Sequence, residues 1–414
     1  MAEINLNKDI LPVPGVKWSA TYAGIKKNSI TKDANSLDLA LMEVSPGSNV
    51  AGVFTKNIFS AAPVKVAQEK IDKFNYPCDC PIYLLINSGN ANAGTGDEGL
   101  RDTHKCCQSL SDATNSNIDY VVPFSTGVIG EKLPVENIIT SMPSLVDGLS
   151  SKNWEKASRA IMTTDTVSKA FSRSINIDDK KITITGICKG AGMIRPNMAT
   201  MLSYVATDAE IDQSLLQELL NQAVNQSFNR ITVDGDTSTN DACILVATGE
   251  SKIKLSKSHP SFSFFYENLF ELFSCLATSI IKDAEGATKF ITISVEGGLD
   301  SEECLLVAYS VAESPLVKTA FFASDPNWGR ILAAIGRSGV QGIDINSIEI
   351  ILGGVPVFQN GKVSSLYNEE QAKNSMNSDD ILLTINLKRG SSKEKIWTSD
   401  LSIDYIKINS DYRS

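Results

Sequence analysis

The run Cys188-Lys189-Gly190-Ala191-Gly192-Met193-Ile194-Arg195-Pro196-Asn197-Met198-Ala199-Thr200-Met201-Leu202 constrains this chain more than any other stretch. It follows a β-patterned segment, Ile182 to Cys188, so the chain must turn here. Gly190 and Gly192 let the backbone bend and come close to another group. Arg195-Pro196-Asn197 disfavours helix before the proline and suits a turn. Ala199-Thr200 then opens onto apolar Met201, Leu202, Tyr204 and Val205. A hydroxyl at the mouth of a new strand, after a tight turn, is a place for a nucleophile. On spacing alone, a glycine-rich surface turn is the commoner outcome.

Charge and composition narrow the partners. The chain has 414 residues, of which 42% are hydrophobic, enough for a large core or two domains. Its net charge is −10 without a basic cluster, which argues against nucleic acid and against an anionic membrane surface. The most apolar long segment, Phe262 to Ile281, is interrupted by Glu267, Asn268 and Glu271, so no membrane span is expected. Met1-Ala2-Glu3-Ile4-Asn5 has neither signal-peptide nor transit-peptide character, and a cytoplasmic protein is expected. The eight cysteines are then expected to be reduced thiols. Cys78-Asp79-Cys80 and His104-Lys105-Cys106-Cys107 fit no standard zinc spacing, and no metal is expected. His104 and His259 are the two histidines, and neither adjoins a nucleophile turn. A base working near neutral pH should therefore be something other than histidine.

Periodicity supplies the elements. Val16 to Ala23, Leu37 to Val44 and Val50 to Phe54 read as strands, and Ala62 to Phe74 as a helix. Pro81 to Ile86 reads as a buried strand running into a loop of small residues, Asn87 to Gly96. Such a loop can bind an anion on its amides, although a structural loop is the better reading. Asp119 to Pro123 reads as a strand ending in the turn Ser125-Thr126-Gly127, with Thr126 adding a hydroxyl beside an exposable N–H. That is material for an oxyanion hole, or an ordinary turn. Helical patterns follow at Val135 to Val146 and Trp154 to Met162. Thr207-Asp208-Ala209-Glu210 fits a capping box ahead of a helix carrying Leu216, Leu219, Leu220 and Ala223. The acidic run Ile231 to Asp241 lacks EF-hand spacing. Ser263 to Ile281 reads as a long amphipathic helix, and Glu302 to Val311 as another. Val317 to Ala323, Ile381 to Leu387 and Leu401 to Ile408 read as strands. Alternating strands and helices predict an α/β or α+β layered fold.

Lys189 to Leu202 resembles the cleavage-site motif of the ornithine acetyltransferase family, the bifunctional glutamate N-acetyltransferases (ArgJ family) of arginine biosynthesis. Asn87 to Gly96, Ser125-Thr126-Gly127, Met162-Thr163-Thr164-Asp165-Thr166, Ile231 to Asp241, Lys282-Asp283-Ala284-Glu285-Gly286, Asp325 to Arg330 and the tail Asn409 to Ser414 resemble further motifs of that family. The resemblance implies an αββα-type sandwich built by two self-cleaved fragments, 1–199 and 200–414, assembled as a heterotetramer. It implies cleavage between Ala199 and Thr200, with Thr200 as nucleophile and its α-amine as base. It implies an oxyanion hole from Thr126 and Gly127, and substrate contacts at Thr163, Lys189, Thr200, Glu285, Asn409 and Ser414. Serine at the last position keeps a hydroxyl where threonine is expected more often. The implied reaction moves acetyl from N2-acetyl-L-ornithine to L-glutamate through an acetyl-threonine, in two alternating half-reactions. No cofactor is implied, and acetyl-CoA is a possible co-substrate.

Elementary chemistry fits that picture. A threonine hydroxyl is a poor nucleophile until a base takes its proton. An α-amino group with pKa near ~7.8 is about one-third free base at pH ~7.5, whereas a lysine near ~10.4 is about one part in a thousand. Breaking the bond before Thr200 would create such an amine beside the hydroxyl. The alternative reading is a hydrolase with the same nucleophile, an amidase or aminopeptidase, in which water is the acceptor. A third is a small-ligand binding protein with an uncut chain.

Overall fold

Strands with apolar residues on both faces need a covering layer on each side, and that requirement sets the architecture. The computed structural model describes residues 10–26, 36–195 and 201–411. A four-stranded sheet runs Val16–Thr21, Leu39–Val44, Ile82–Asn90, Val121–Val128, antiparallel except for the last, parallel pair. A five-stranded sheet runs Asn49–Phe54, Ala242–Ala247, Leu202–Thr207, Lys180–Lys189, Lys169–Ile177. Here the parallel pair is Ala242–Ala247 with Leu202–Thr207.

Successive side chains alternate between sheet faces. Trp18, Met42, Leu84 and Phe124 on one sheet therefore meet Ile187, Tyr204, Ile244 and Val246 on the other in one cluster. At its centre Trp18 contacts Trp154 and Tyr204 edge-on at 5.5 and 5.7 Å, and Phe124 meets Tyr204 at 5.4 Å. Each such pair adds about 0.5–1.5 kcal/mol beyond the area it buries. The intervening residues Leu39, Leu41, Tyr83 and Leu85 face helices Gly96–Thr114 and Val135–Asp147. On the outer side of the second sheet Ile182, Ile184, Val205 and Leu245 face helices Gln213–Gln226 and Phe262–Lys282. The result is a helix–sheet–sheet–helix stack, the αββα sandwich that the family resemblance implies.

A seven-stranded sheet with Asp380–Asn386 as its central strand, beside Phe290–Gly298, forms a further layer, covered by helices Ser301–Ala312, Pro315–Phe322 and Trp328–Gly336. It joins the sandwich where Ile231–Thr232 pairs with Trp397 and Thr398. The segments on either side of 199/200 share the five-stranded sheet: Leu202–Thr207 pairs with Lys180–Lys189, and Ala242–Ala247 with Asn49–Phe54. Among the described residues, Phe262–Lys282 is the one single helix long and apolar enough to cross a membrane, and half of its most apolar window is buried here.

Four local expectations are corrected. Val317 to Ala323 is not a strand: Val317 to Phe322 belongs to helix Pro315–Phe322, with Ala323 as its C-cap, because Ser314 caps the Val317 N–H and Pro315 presets the first turn. From Leu401 to Ile408, Ile403 onward is likewise helical within Ile403–Ser410, capped by Ser402 onto the Tyr405 N–H. Thr207 is no helix cap: it ends a strand, and the helix begins at Gln213 after Asp212. Asn87 to Asn90 and Ser125 to Gly127, expected as loop and turn, are the paired ends of strands Ile82–Asn90 and Val121–Val128.

Helix Phe262–Lys282 rests on bare backbone at Gly186, where an added Cβ would stand 2.9 Å from Leu276 Cδ1 and Val205 Cγ2. Gly186→Val should cost about 1–3 kcal/mol by overpacking. Denaturant unfolding checks this, and an unchanged midpoint would contradict the tight contact.

Candidate active site

A cavity of about 110 Å³ brings together Thr126, Gly127, Thr163, Lys189, Glu285 and Asn409. These six sequence-stretch candidates come from five separate parts of the chain. Ala199 and Thr200, the expected cleavage bond and nucleophile, lie outside the described residues, as does Ser414. Neither histidine lines the cavity.

The Thr126-Gly127 wall is made by an irregularity in strand pairing. Asn90 sits opposite both Thr126 and Val128, the two-against-one register of a bulge. Gly127 has φ +133°, and an added Cβ would lie 2.3 Å from the Gly89 carbonyl carbon and 2.5 Å from Asn90 N. Only glycine permits this approach. Asparagine side chains then fix the shape: Asn87 Nδ2 donates to Asn90 O at 2.8 Å, and Ser125 Oγ donates to Asn87 Oδ1 at 2.6 Å. Asn240 reaches across from the acidic run and donates to Ala91 O at 2.6 Å and Ser125 O at 2.9 Å. The asparagine-rich stretch thus braces the site and spends its side chains on backbone carbonyls.

Lys189 closes strand Lys180–Lys189 and is almost wholly buried. Burial pushes its ammonium below the usual lysine value, against the opposing pull of Asp165, Asp241 and Glu285. Lys189 Nζ donates to Thr163 Oγ1 at 3.3 Å. Facing it, Glu285 follows the C-terminus of helix Phe262–Lys282, tied back by its N–H to Ala191 O at 2.9 Å. Gly192 makes room: a Cβ there would fall 2.4 Å from the Glu285 carboxyl carbon. Asn409 Nδ2 donates to Glu285 Oε2 at 2.8 Å. Of the described residues lining the cavity, Lys189 is the one cation and Glu285 the one anion.

Sequence reasoning did not single out the polar group beneath this wall. Lys169, with no exposed side-chain surface, donates to Asp165 Oδ1 and to Asp283 Oδ2, both at 2.6 Å. Asp165 also accepts from Gly190 N at 2.7 Å and Thr163 N at 3.0 Å. Asp283 accepts from the Thr166 amide and hydroxyl and the Val167 amide. Burial would raise the Asp165 carboxyl, but Lys169, Lys189 and the Gly190 amide hold it below its ordinary range. Asp165 and Asp283 stand inside two of the motif stretches, yet their convergence on Lys169 spans 114 residues for Asp283 and is invisible locally. In the acidic run, Asp234 accepts from Met193 N at 2.7 Å and Ile194 N at 3.0 Å, so its carboxylate anchors the chain entering the 196–200 stretch.

A family model described as the ArgJ family matches residues 17–414. The chain belongs to that family. A relative named arginine biosynthesis bifunctional protein ArgJ, from Pseudomonas syringae pv. tomato, is 48% identical over 405 residues, covering 97% of each chain. Another of the same name from Psychrobacter arcticus is 48% identical over 416 residues, covering all of both. A crystal structure of a Bacillus halodurans protein of that name is 40% identical, with a TM-score of 0.50. It is matched over all of its own chain by 51% of this one. For this ArgJ family member, the glycine at φ +133° gives a direct test. If the Thr126-Gly127 wall is the oxyanion hole that the family resemblance implies, Gly127→Ala should lower kcat by about 10²–10³, the cost of displacing one preorganised donor, with KM less affected. Steady-state kinetics on folded enzyme check it, and a kcat near wild type would remove Gly127 from the site.

Proposed function

We propose that this chain is an arginine-biosynthesis acetyltransferase that moves acetyl from N-acetylornithine to glutamate through an acetyl-Thr200 intermediate. The observation that carries the reading is the cavity itself: Thr126 and Gly127 on one wall, and a single buried cation and a single carboxylate on the others. The two substrates share an α-carboxylate and differ at the far end. Lys189 is the partner for the shared carboxylate, and a buried ammonium makes a strong charge-assisted bond there. Glu285 is the partner for the ornithine ammonium.

In the first half-reaction the Thr200 hydroxyl, relieved of its proton by the Thr200 α-amine, attacks the acetyl carbonyl. The oxyanion forms against Thr126 and Gly127, and ornithine leaves with the proton. Glutamate then takes the acetyl group by the reverse sequence. The α-amine requires cleavage between Ala199 and Thr200. The half-length match to the Bacillus halodurans chain supports a two-piece enzyme. We extend the reading to acetyl-CoA as a second donor, as the relatives' name "bifunctional" suggests, to two copies of each fragment, and to the cytoplasm. Incubation with acetyl-CoA and glutamate, without N-acetylornithine, tests the second donor.

Three outcomes are expected. Wild-type protein should separate on denaturing mass spectrometry into 1–199 and 200–414, while Thr200→Ala stays whole and inactive. An active wild-type chain that remains uncut would sink the mechanism. Lys189→Met should raise KM for both substrates, whereas Glu285→Gln should weaken N-acetylornithine more than glutamate, each measured on cleaved enzyme. An unchanged KM for both substrates in Lys189→Met would refute the carboxylate role. Because burial lowers the Lys189 ammonium from 10.5, its charge is lost at lower pH than for a free lysine. KM for both substrates should therefore rise on the alkaline side before pH 10.5, and Lys189→Met should abolish that limb.

A further inference from the structure

Lys189 presents a buried ammonium that is not used up. Its one hydrogen bond among the described residues is to Thr163 Oγ1, and no carboxylate there lies within ion-pair distance. Yet the carboxylate acting most strongly on it, Asp165, is also fully buried and shares its partner: Asp165 Oδ2 accepts the N–H of the same Thr163, and Oδ1 accepts from Gly190, the next residue after Lys189. Two buried opposite charges this close attract strongly and would close on each other if free to move. Something holds them apart. Asp165 Oδ1 is taken by Lys169 at 2.6 Å and by Gly190 N at 2.7 Å. Lys169 is in turn fixed from the other side by Asp283 at 2.6 Å, with a further bond to Val167 O at 3.2 Å. Lys26, a further lysine in the field of Asp165 among the described residues, donates to Leu37 O at 2.9 Å.

We propose that Lys169 is a positioning residue: it binds Asp165 to Asp283 and so keeps the Asp165 carboxylate off Lys189, leaving the Lys189 ammonium open to a substrate carboxylate. This rests on the reading that Lys189 receives that carboxylate. The arrangement makes two lysines unequal. Lys169 is a fully paired structural cation between two carboxylates, and Lys189 is the cation left over. The same ammonium also ties the loop bearing Thr163 to the bend bearing Glu285, because Asp283 holds the Thr166 and Val167 amides and lies two residues before Glu285.

A matched pair of double variants separates this role from plain structural support. Lys169→Met/Asp165→Asn and Lys169→Met/Asp283→Asn remove the same charges and leave one buried carboxylate each. Only the second leaves the Asp165 carboxylate without its lysine partner, held by the Gly190 and Thr163 amides alone and able to turn toward Lys189. Its KM for both N-acetylornithine and glutamate should exceed that of the first by about tenfold or more, the worth of one charge-assisted hydrogen bond. The two kcat values should differ much less. Where either Met pair fails to fold, the corresponding Lys169→Gln pair, which keeps an amide donor, carries the comparison. Equal KM values in the two doubles, or a higher KM in the one retaining Asp283, would overturn the proposal. If Lys189→Met itself leaves KM unchanged, the carboxylate subsite falls. If Lys189→Met is defective and the doubles are alike, only the role of Lys169 falls.

Discussion

Strand Leu202–Thr207 is hydrogen-bonded along both edges, to Lys180–Lys189 on one side and Ala242–Ala247 on the other. The cavity is built from what leaves the ends of these strands. Lys189 is the last residue of one, and Asn240 stands just before another. Tyr204, in the central strand, joins the aromatic contact that locks the two sheets face to face. Shifting this strand by one residue would exchange its two faces, since side chains alternate. Tyr204 would then leave the inter-sheet core and Val205 the helix-facing one. The register is therefore held by burial on both faces, and the site inherits that rigidity.

Beneath the rigid frame lies an expensive arrangement. Buried charges carry a large desolvation cost, and removing one partner of such a group typically costs about 3–5 kcal/mol. Apolar residues would fill the same space at no such cost. What Lys169, Asp165 and Asp283 add is connection: their oxygens and nitrogen reach three separate segments that a hydrophobic contact could not orient by direction. Asn240 does the same for the Thr126 wall through two backbone carbonyls. The Thr126 wall and the segments bearing Thr163, Lys189 and Glu285 are thus oriented by buried polar groups.

Alternating strand and helix signals made a layered α/β fold legible, and the family resemblance implied the sandwich itself; strands buried on both faces, such as Leu202–Thr207, carry no alternation from which to read it. Val317 to Ala323 and Leu401 to Ile408 misled because short apolar runs fit strand and helix alike. The deciding signals, Ser314-Pro315 and Ser402, sit just outside each run. In the cavity, Thr126, Gly127, Thr163, Lys189, Glu285 and Asn409 were legible through family resemblance, since each lies in a compact motif. Lys169 and Asn240 were not. A lysine opening a strand and an asparagine in a polar run look ordinary until partners 114 and 149 residues away arrive.

The shared five-stranded sheet has one more consequence. In a continuous chain, loss of the Leu202–Thr207 pairing is a first-order event, and its neighbours remain tethered for reclosure. In a chain severed before Thr200, the same pairing becomes a contact between two molecules. Unfolding then becomes dissociation, its midpoint moves with protein concentration, and the tether's help in refolding is gone. Such a protein would be assembled once, while whole, and thereafter persist by the slowness with which an interior strand can be withdrawn from between two others.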